Sequence, residues 1–313
     1  MESKYVVLGW QQELYEEYMA FRKKSHSCAP STERTIHAAI FSFFNYMNEL
    51  GIKSLSDISA IDLKSWHIKS EHSSARARNL YTSQLRIFFE HLSDNGVIAP
   101  TLSLALTCQC ASHTSIIEVL SKEQLAKIED YRCHARKPME LRDVAIVLLG
   151  LRMGIRSVDI CKLKIPDISW KQQTISFIQQ KTGVFVTLPV PTEVGNSLYR
   201  YITEGRPTNQ DSDQVFLSHM PPYHGLKGTV AIRRSIMHIF ANSGIDEPKG
   251  FHITRRTFAS NMLRSGSSVS LIASALGHAG IQNVEPYLST DDINLSLCAI
   301  SCESIEYKGR YGL

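Results

Sequence analysis

Six polar side chains in the second half of this sequence stand out by type and spacing: Arg156 in "GIRSVD", Lys181 in "QKTGVFVTLP", His252 and Arg255 in "HITR", His278 in "LGH", and Tyr287. Each alone has an ordinary reading. Arg156, set among Leu149, Ile155, Ile160 and Leu163, is a charge at a helix end. Lys181 is an exposed turn lysine, His252 and Arg255 a basic helix face, His278 a structural histidine, and Tyr287 one tyrosine of 12. Together they have a chemistry. Two guanidiniums, two imidazoles, an ammonium and a phenol are what a metal-free attack on a phosphodiester requires, because its transition state gathers negative charge on the non-bridging oxygens. Arginine forks match those oxygens, and lysine supplies a movable proton. His252 and Arg255, one helical turn apart, project from one face. Asp159, three residues after Arg156, is spaced to pair with it and fix its direction.

The elements that must position these groups are mainly helical. A chain of 313 residues with 43% hydrophobic and 20% charged residues reads as two globular domains. Its net charge of +4 is too small to name a partner, but residues 1–120 hold 11 basic and 12 acidic side chains, so the excess lies in the second half. There is no run of 18 apolar residues and no basic stretch followed by an apolar one at the N-terminus, so the expectation is a cytoplasmic protein outside membranes. The seven cysteines, at 28, 108, 110, 133, 161, 298 and 302, show no paired CxxC motifs; reduced thiols and no metal site are expected.

From the N-terminus, helical spacing runs through Leu14, Tyr18 and Phe21, then over residues 32–50 with Phe41, Phe43, Phe44 and Tyr46. Further helices read near residues 60–69 and over 74–95, the last with Leu80, Leu85, Phe88, Phe89 and Leu92 and a stop at Asn95-Gly96. Residues 1–108 thus read as an all-helical domain, and the chargeless "SLALTCQCASHTS" as the boundary, with the linker at 109–117 and the second domain at 118–313. Ser121 caps a new helix with Glu123 in its first turn, and "LRDVAIVLLGLRMG" belongs in a core. The clear β signal is a hairpin, Thr174 to Ile178 and Val184 to Leu188, turning at Gly183 with Lys181 at its tip. Helical patterns resume after Pro191.

In order and spacing the six residues resemble the tyrosine recombinases, or phage-type integrases. That family has an arginine in a "GIRSVD"-like pattern, a lysine on a hairpin ahead of a proline, a histidine and arginine as in "HITR", a histidine as in "LGH", and a tyrosine nine residues on, here Tyr287. The first half resembles its helical, SAM-like core-binding domain, most clearly in "YTSQLRIFFEHLSDNGVI". Two positions depart from the pattern: Thr254 and Arg256 stand where leucine and histidine are common, and Pro286 precedes Tyr287.

The resemblance implies a mainly α protein, with a core-binding domain and an α+β catalytic domain with a small antiparallel sheet. It implies site-specific cutting and rejoining of double-stranded DNA through a 3′-phosphotyrosyl bond, by a homotetramer on two sites that exchanges C-terminal tails, and association with the nucleoid. Tyr287 would be the nucleophile, His252 the proton acceptor, Arg156 and Arg255 the phosphate clamp, Lys181 the acid for the leaving 5′-oxygen, His278 a hydrogen-bond donor, and Asp159 an orienting carboxylate. No cofactor is implied. The alternatives are a monomeric DNA-relaxing enzyme of the type IB topoisomerase kind and a DNA-binding regulator that has lost the chemistry; covalent attachment to DNA separates them.

Overall fold

The structure is a computed structural model that describes residues 5–25, 28–69, 75–108, 117–208, 212–246 and 250–277. His278, Pro286, Tyr287 and the C-terminal tail lie outside the described residues. The chain divides into two units, Met1–His113 and Thr114–Leu313.

Aromatic side chains set the core of the first unit. Its helices are α1 (Gly9–Ser25), α2 (Pro30–Glu49), α3 (Ala60–Lys69), α4 (Ala75–Asp94) and the short α5 (Thr101–Leu104). Along α2 and α4 the apolar positions recur every three or four residues, so Phe43, Phe44, Phe88 and Phe89 all point inward and are fully buried. Their rings meet edge to face, Phe43 against Phe89 at 5.4 Å and against Trp66 at 5.8 Å, and Tyr18 against Phe88 at 5.0 Å. The helix ends follow local chemistry: Gly51 and Gly96 take positive φ of 73° and 70° just beyond α2 and α4, and Ser59 and Asp62 exchange hydrogen bonds at the start of α3.

Helical spacing does not mark every apolar residue as buried. Leu80 is 49% exposed and Phe21 47% exposed, Phe21 stacking on His91 at the surface. Ser103 and Leu106 are buried in this unit, within the first domain as read, and Arg86 reaches across to donate to the Leu106 carbonyl.

The second unit is built around α7 (Pro138–Met153), whose residues 144–151 are apolar on all sides and which carries eleven buried residues. Against it pack α8 (Ser157–Lys162), α9 (Thr192–Arg200) with a π-helical turn at Tyr201–Gly205, α10 (Thr229–Asn242) and α11 (His252–Arg264), while α6 (Lys122–His134) packs on α10 and α12 (Val269–Leu276) on α11. Ser121 caps α6 in a full capping box with Gln124. The buried Asp143 of α7 is satisfied by Arg142 and by His238 of α10. A sheet in the order β1 (Ile168–Ser169), β2 (Thr174–Ile178), β3 (Phe185–Pro189) is antiparallel throughout, with Ile178 opposite Phe185. The expected hairpin is therefore present, its second strand one residue later than read, together with a two-residue strand that the sequence did not announce.

Gly150 sets the distance between α7 and α11. A Cβ there would collide with the Thr254 hydroxyl and lie 2.8 Å from Phe251 Cζ, so the bare backbone lets the start of α11 seat against α7. The structure fits Thr254 to this place: it is fully buried, and its hydroxyl donates to the Phe251 carbonyl at 2.8 Å.

Phe43→Ala is expected to destabilise the first unit by about 3–5 kcal/mol, the usual cost of emptying a packed aromatic site. Chemical denaturation followed by Trp66 emission, with Trp10 and Trp170 replaced by Phe, measures this.

Candidate active site

Arg156 sits in the sharp turn between α7 and α8. Gly154 ends α7 in the left-handed conformation (φ 65°) and is wedged so closely that a Cβ would lie 2.6 Å from Phe258 and 2.9 Å from Leu276. Two residues on, Arg156 is the extended N-cap residue of α8 (φ −72°, ψ 147°), half-buried, and its Nη1 donates to Gln179 Oε1 at 2.7 Å.

Arg255 is 2% exposed, in the first turn of α11. Its Nη1 donates to the Gly154 carbonyl at 2.6 Å and its Nη2 to the Leu276 carbonyl at 2.7 Å. These are terminal carbonyls of α7 and α12, where helical carbonyls lack intrahelical partners and partial negative charge collects. The buried guanidinium is thus held by two helix ends.

His252 is the first residue of α11, one turn before Arg255, and keeps an exposed face. Its pKa is lowered from 6.5 to about 4, first by the protein crowded around the ring and then by the positive charges of Arg256, Arg255, Arg156 and Lys181. The imidazole is therefore neutral at neutral pH, in a strongly positive surrounding.

Lys181 is exposed in the turn between β2 and β3. Gln179 N donates to Val184 O at 2.9 Å and Gly183 N to Gln179 O at 2.8 Å, closing that turn, with Gly183 at φ 68°. Asp159, 3% exposed, accepts the Gln180 N–H at 2.8 Å and so ties α8 to the hairpin turn. Burial pushes its carboxyl up, while the Gln180 bond and the charges of Arg156, Arg255 and Lys162 pull it down. The direct pairing with Arg156 expected from spacing is replaced by two parallel links, Arg156 to Gln179 and Asp159 to Gln180.

Sequence reading passed over Gln179. Its side chain is 3% exposed and bonded on both ends of the amide: Oε1 accepts from Arg156 and from Thr182 Oγ1 (2.9 Å), and Nε2 donates to Leu276 O (3.2 Å). The signal was there, because Ile175, Phe177 and Gln179 alternate on the buried face of β2 and its extension, and a polar residue at the third position needs a polar reason.

Four of the six residues, Arg156, Lys181, His252 and Arg255, are thus gathered in one place. His278 follows Gly277, which caps α12 at φ 58°, and with Tyr287 it lies outside the described residues. Among the described residues no three His, Cys, Asp or Glu side chains group as a metal site, and the buried Cys161 thiol, raised to about 11 by burial, donates to the Gly228 carbonyl. No helix among them is long and apolar enough to cross a membrane.

Comparison with known proteins places this architecture. The chain is 30% identical over 241 residues to y4rA of Sinorhizobium fredii, an integrase/recombinase by name, matching 76% of this chain and 58% of that one, so it spans under two thirds of that relative. It is 24% identical to the tyrosine recombinase XerD of Listeria monocytogenes, over 90% of this chain and 96% of that protein. Among solved structures, XerH site-specific recombinase bound to its palindromic difH substrate superposes with a TM-score of 0.72 over 91% of this chain and 83% of that one, at 17% identity. A lambda integrase dimer bound to a core site gives 0.67 over 97% of this chain and all of that one, at 19% identity. These structural likenesses speak for the fold: mainly helical, with a small antiparallel sheet. The signature of the Phage integrase family matches residues 118–293, more than half of the sequence, and the chain belongs to that family, the tyrosine recombinases.

Proposed function

We propose that this chain cuts and rejoins double-stranded DNA at specific sites through a covalent phosphotyrosyl intermediate. The observation that carries the reading is the gathering of Arg156, Lys181, Arg255 and the neutral His252 in one place. Three cations around one neutral imidazole favour an anion in the same place, and a phosphodiester has that charge. The names of solved relatives agree in kind, since XerH and lambda integrase are bound to DNA in their structures.

In this reading Tyr287 Oη attacks the scissile phosphorus. The Tyr–O–P bond forms, the bond to the 5′-oxygen breaks, the phenolic proton passes to neutral His252, and Lys181 protonates the departing 5′-oxygen. Arg156 and Arg255 stabilise the charge on the non-bridging oxygens and His278 donates to one of them. An unassisted phenolate at pH 7 would cost roughly 4 kcal/mol, so a proton acceptor in a cationic field is what the step needs. The bound phosphate offsets the surrounding cations and raises the His252 pKa as the base is called on. A 5′-hydroxyl from another strand then reverses the step and reseals the DNA.

Exchange between two duplexes cuts four strands, so four protomers act together on two sites. The tail carries Ile293, Leu295, Leu297 and Ile300, an apolar set suited to docking on a neighbouring protomer.

Three outcomes are expected. Mixed in EDTA with nicked duplexes from the source genome and then denatured, the protein retains covalently bound DNA of one sequence, and Tyr287→Phe retains none. Attachment without sequence preference would indicate a relaxing enzyme, and binding without attachment a regulator. The His252 ring, identified by its loss in His252→Gln and followed by NMR, titrates near pH 4 in free protein and at higher pH once duplex is bound; an unchanged midpoint would count against a phosphate beside it. Deleting residues 292–313 leaves DNA binding intact and abolishes assembly of the four-protomer complex, as read by sedimentation; an unchanged tetramer would remove the tail from assembly.

A further inference from the structure

We infer that Gln179 is a positioning residue for strand cleavage: its side-chain amide holds Arg156 in place and, through the Leu276 carbonyl, joins it to Arg255. The inference rests on the cleavage reading above and adds to it a residue that does not itself touch the phosphate.

Geometry leaves no choice in how the amide faces. A guanidinium only donates and a carbonyl only accepts, so Oε1 must face Arg156 and Nε2 must face Leu276 O. Thr182 Oγ1 donates to the same Oε1 from the turn that carries Lys181. One buried amide therefore touches three parts of the site: the α7–α8 turn with Arg156, the hairpin turn with Lys181, and the end of α12 just before His278. Leu276 O accepts in addition from Arg255 Nη2 at 2.7 Å. The path Arg156–Gln179–Leu276–Arg255 runs through hydrogen bonds alone. Gly277 fits the same scheme, since any Cβ at that residue would collide with the Gln179 amide.

The consequence concerns Arg156. A long arginine side chain has many rotamers, and clamping a phosphate demands one of them. A guanidinium carries its N–H donors in a rigid planar fork, so the bond to Gln179 fixes the direction of the whole group. Leucine at this position would offer neither bond, and asparagine would be one methylene short. Ionised glutamate would set a negative charge against the Leu276 carbonyl and bind Arg156 too tightly to share it.

The test compares rates of covalent attachment to the nicked duplex captured by the wild type, using the full chain, with thermal melting as the check on folding. Gln179→Leu is expected to slow attachment about 10- to 100-fold, the usual consequence of losing hydrogen bonds to a charged group. The double variant Arg156→Ala/Gln179→Leu should stay within about threefold of Arg156→Ala, because the amide acts through that arginine. Multiplied losses in the double variant, or a wild-type rate in Gln179→Leu, would overturn the inference while leaving cleavage standing. Failure of the wild type to attach would overturn both. Gln179→Glu supplies a second signature should the leucine variant fold poorly. Protonated glutamic acid can still donate to Leu276 O, so its rate relative to wild type should fall as pH rises; a ratio flat with pH would mark Gln179 as structural only.

Discussion

The carbonyl oxygen of Leu276 accepts hydrogen bonds from Arg255 and from Gln179, and Gln179 in turn accepts from Arg156, so the placement of both arginines depends on where α12 ends. That oxygen is available because it lies in the last turn of a helix, where no residue further along the helix can reach it. Gly277 keeps it available by turning the chain away at φ 58°, a conformation that glycine adopts freely. Gly154 does the same for α7 and supplies the second carbonyl to Arg255. The two helix ends act as paired anion-like sockets, and the buried guanidinium is the cation that fits them.

This arrangement decides how much of the rest can vary. The core around α7 must bring α11 close enough for Arg255 to reach Gly154, which it does through Gly150 and the small Thr254. Leucine at 254 would need space that the Gly150–Thr254 contact does not leave, so the departure from the family pattern at this position and the close helix approach form one solution. The hairpin has a parallel role. Its strands are pinned in register by five pairs from Thr174 with Pro189 to Ile178 with Phe185, which fixes where the buried Gln179 and the exposed Lys181 emerge.

Much of this could be read from residues alone, for reasons that are local. The Ser121 capping box, the glycines after α2 and α4, and the alternation of β2 are short-range signals whose physics acts within a few residues. What could not be read depends on distant partners. Leu106 looks like linker because its neighbours carry no charge, yet its side chain is buried and its carbonyl is held by Arg86, 20 residues earlier. The strand at Ile168–Ser169 is too short to alternate. Asp159 was legible as an orienting carboxylate, but its described partner, the Gln180 N–H, is a backbone group that spacing within α8 cannot reveal. Leu80 has the right period for the core and faces outward, because period selects a face of the helix without saying how wide the covered stripe is.

A cluster of like charges strains the protein that holds it. Arg156, Lys181, Arg255 and Arg256 all act on one imidazole whose pKa burial already lowers, and their mutual repulsion opposes folding. Counterweights stand close by: the helix-end carbonyls on Arg255, the Gln179 amide on Arg156, and the buried Asp159 carboxylate, on which Arg156 and Arg255 both act. In the proposed reading an incoming phosphate would relieve the repulsion among these charges in addition to making its own hydrogen bonds. On that reading, binding and the readiness of His252 to take a proton would rise together, because the negative charge of the phosphate also lifts the pKa of an imidazole beside it.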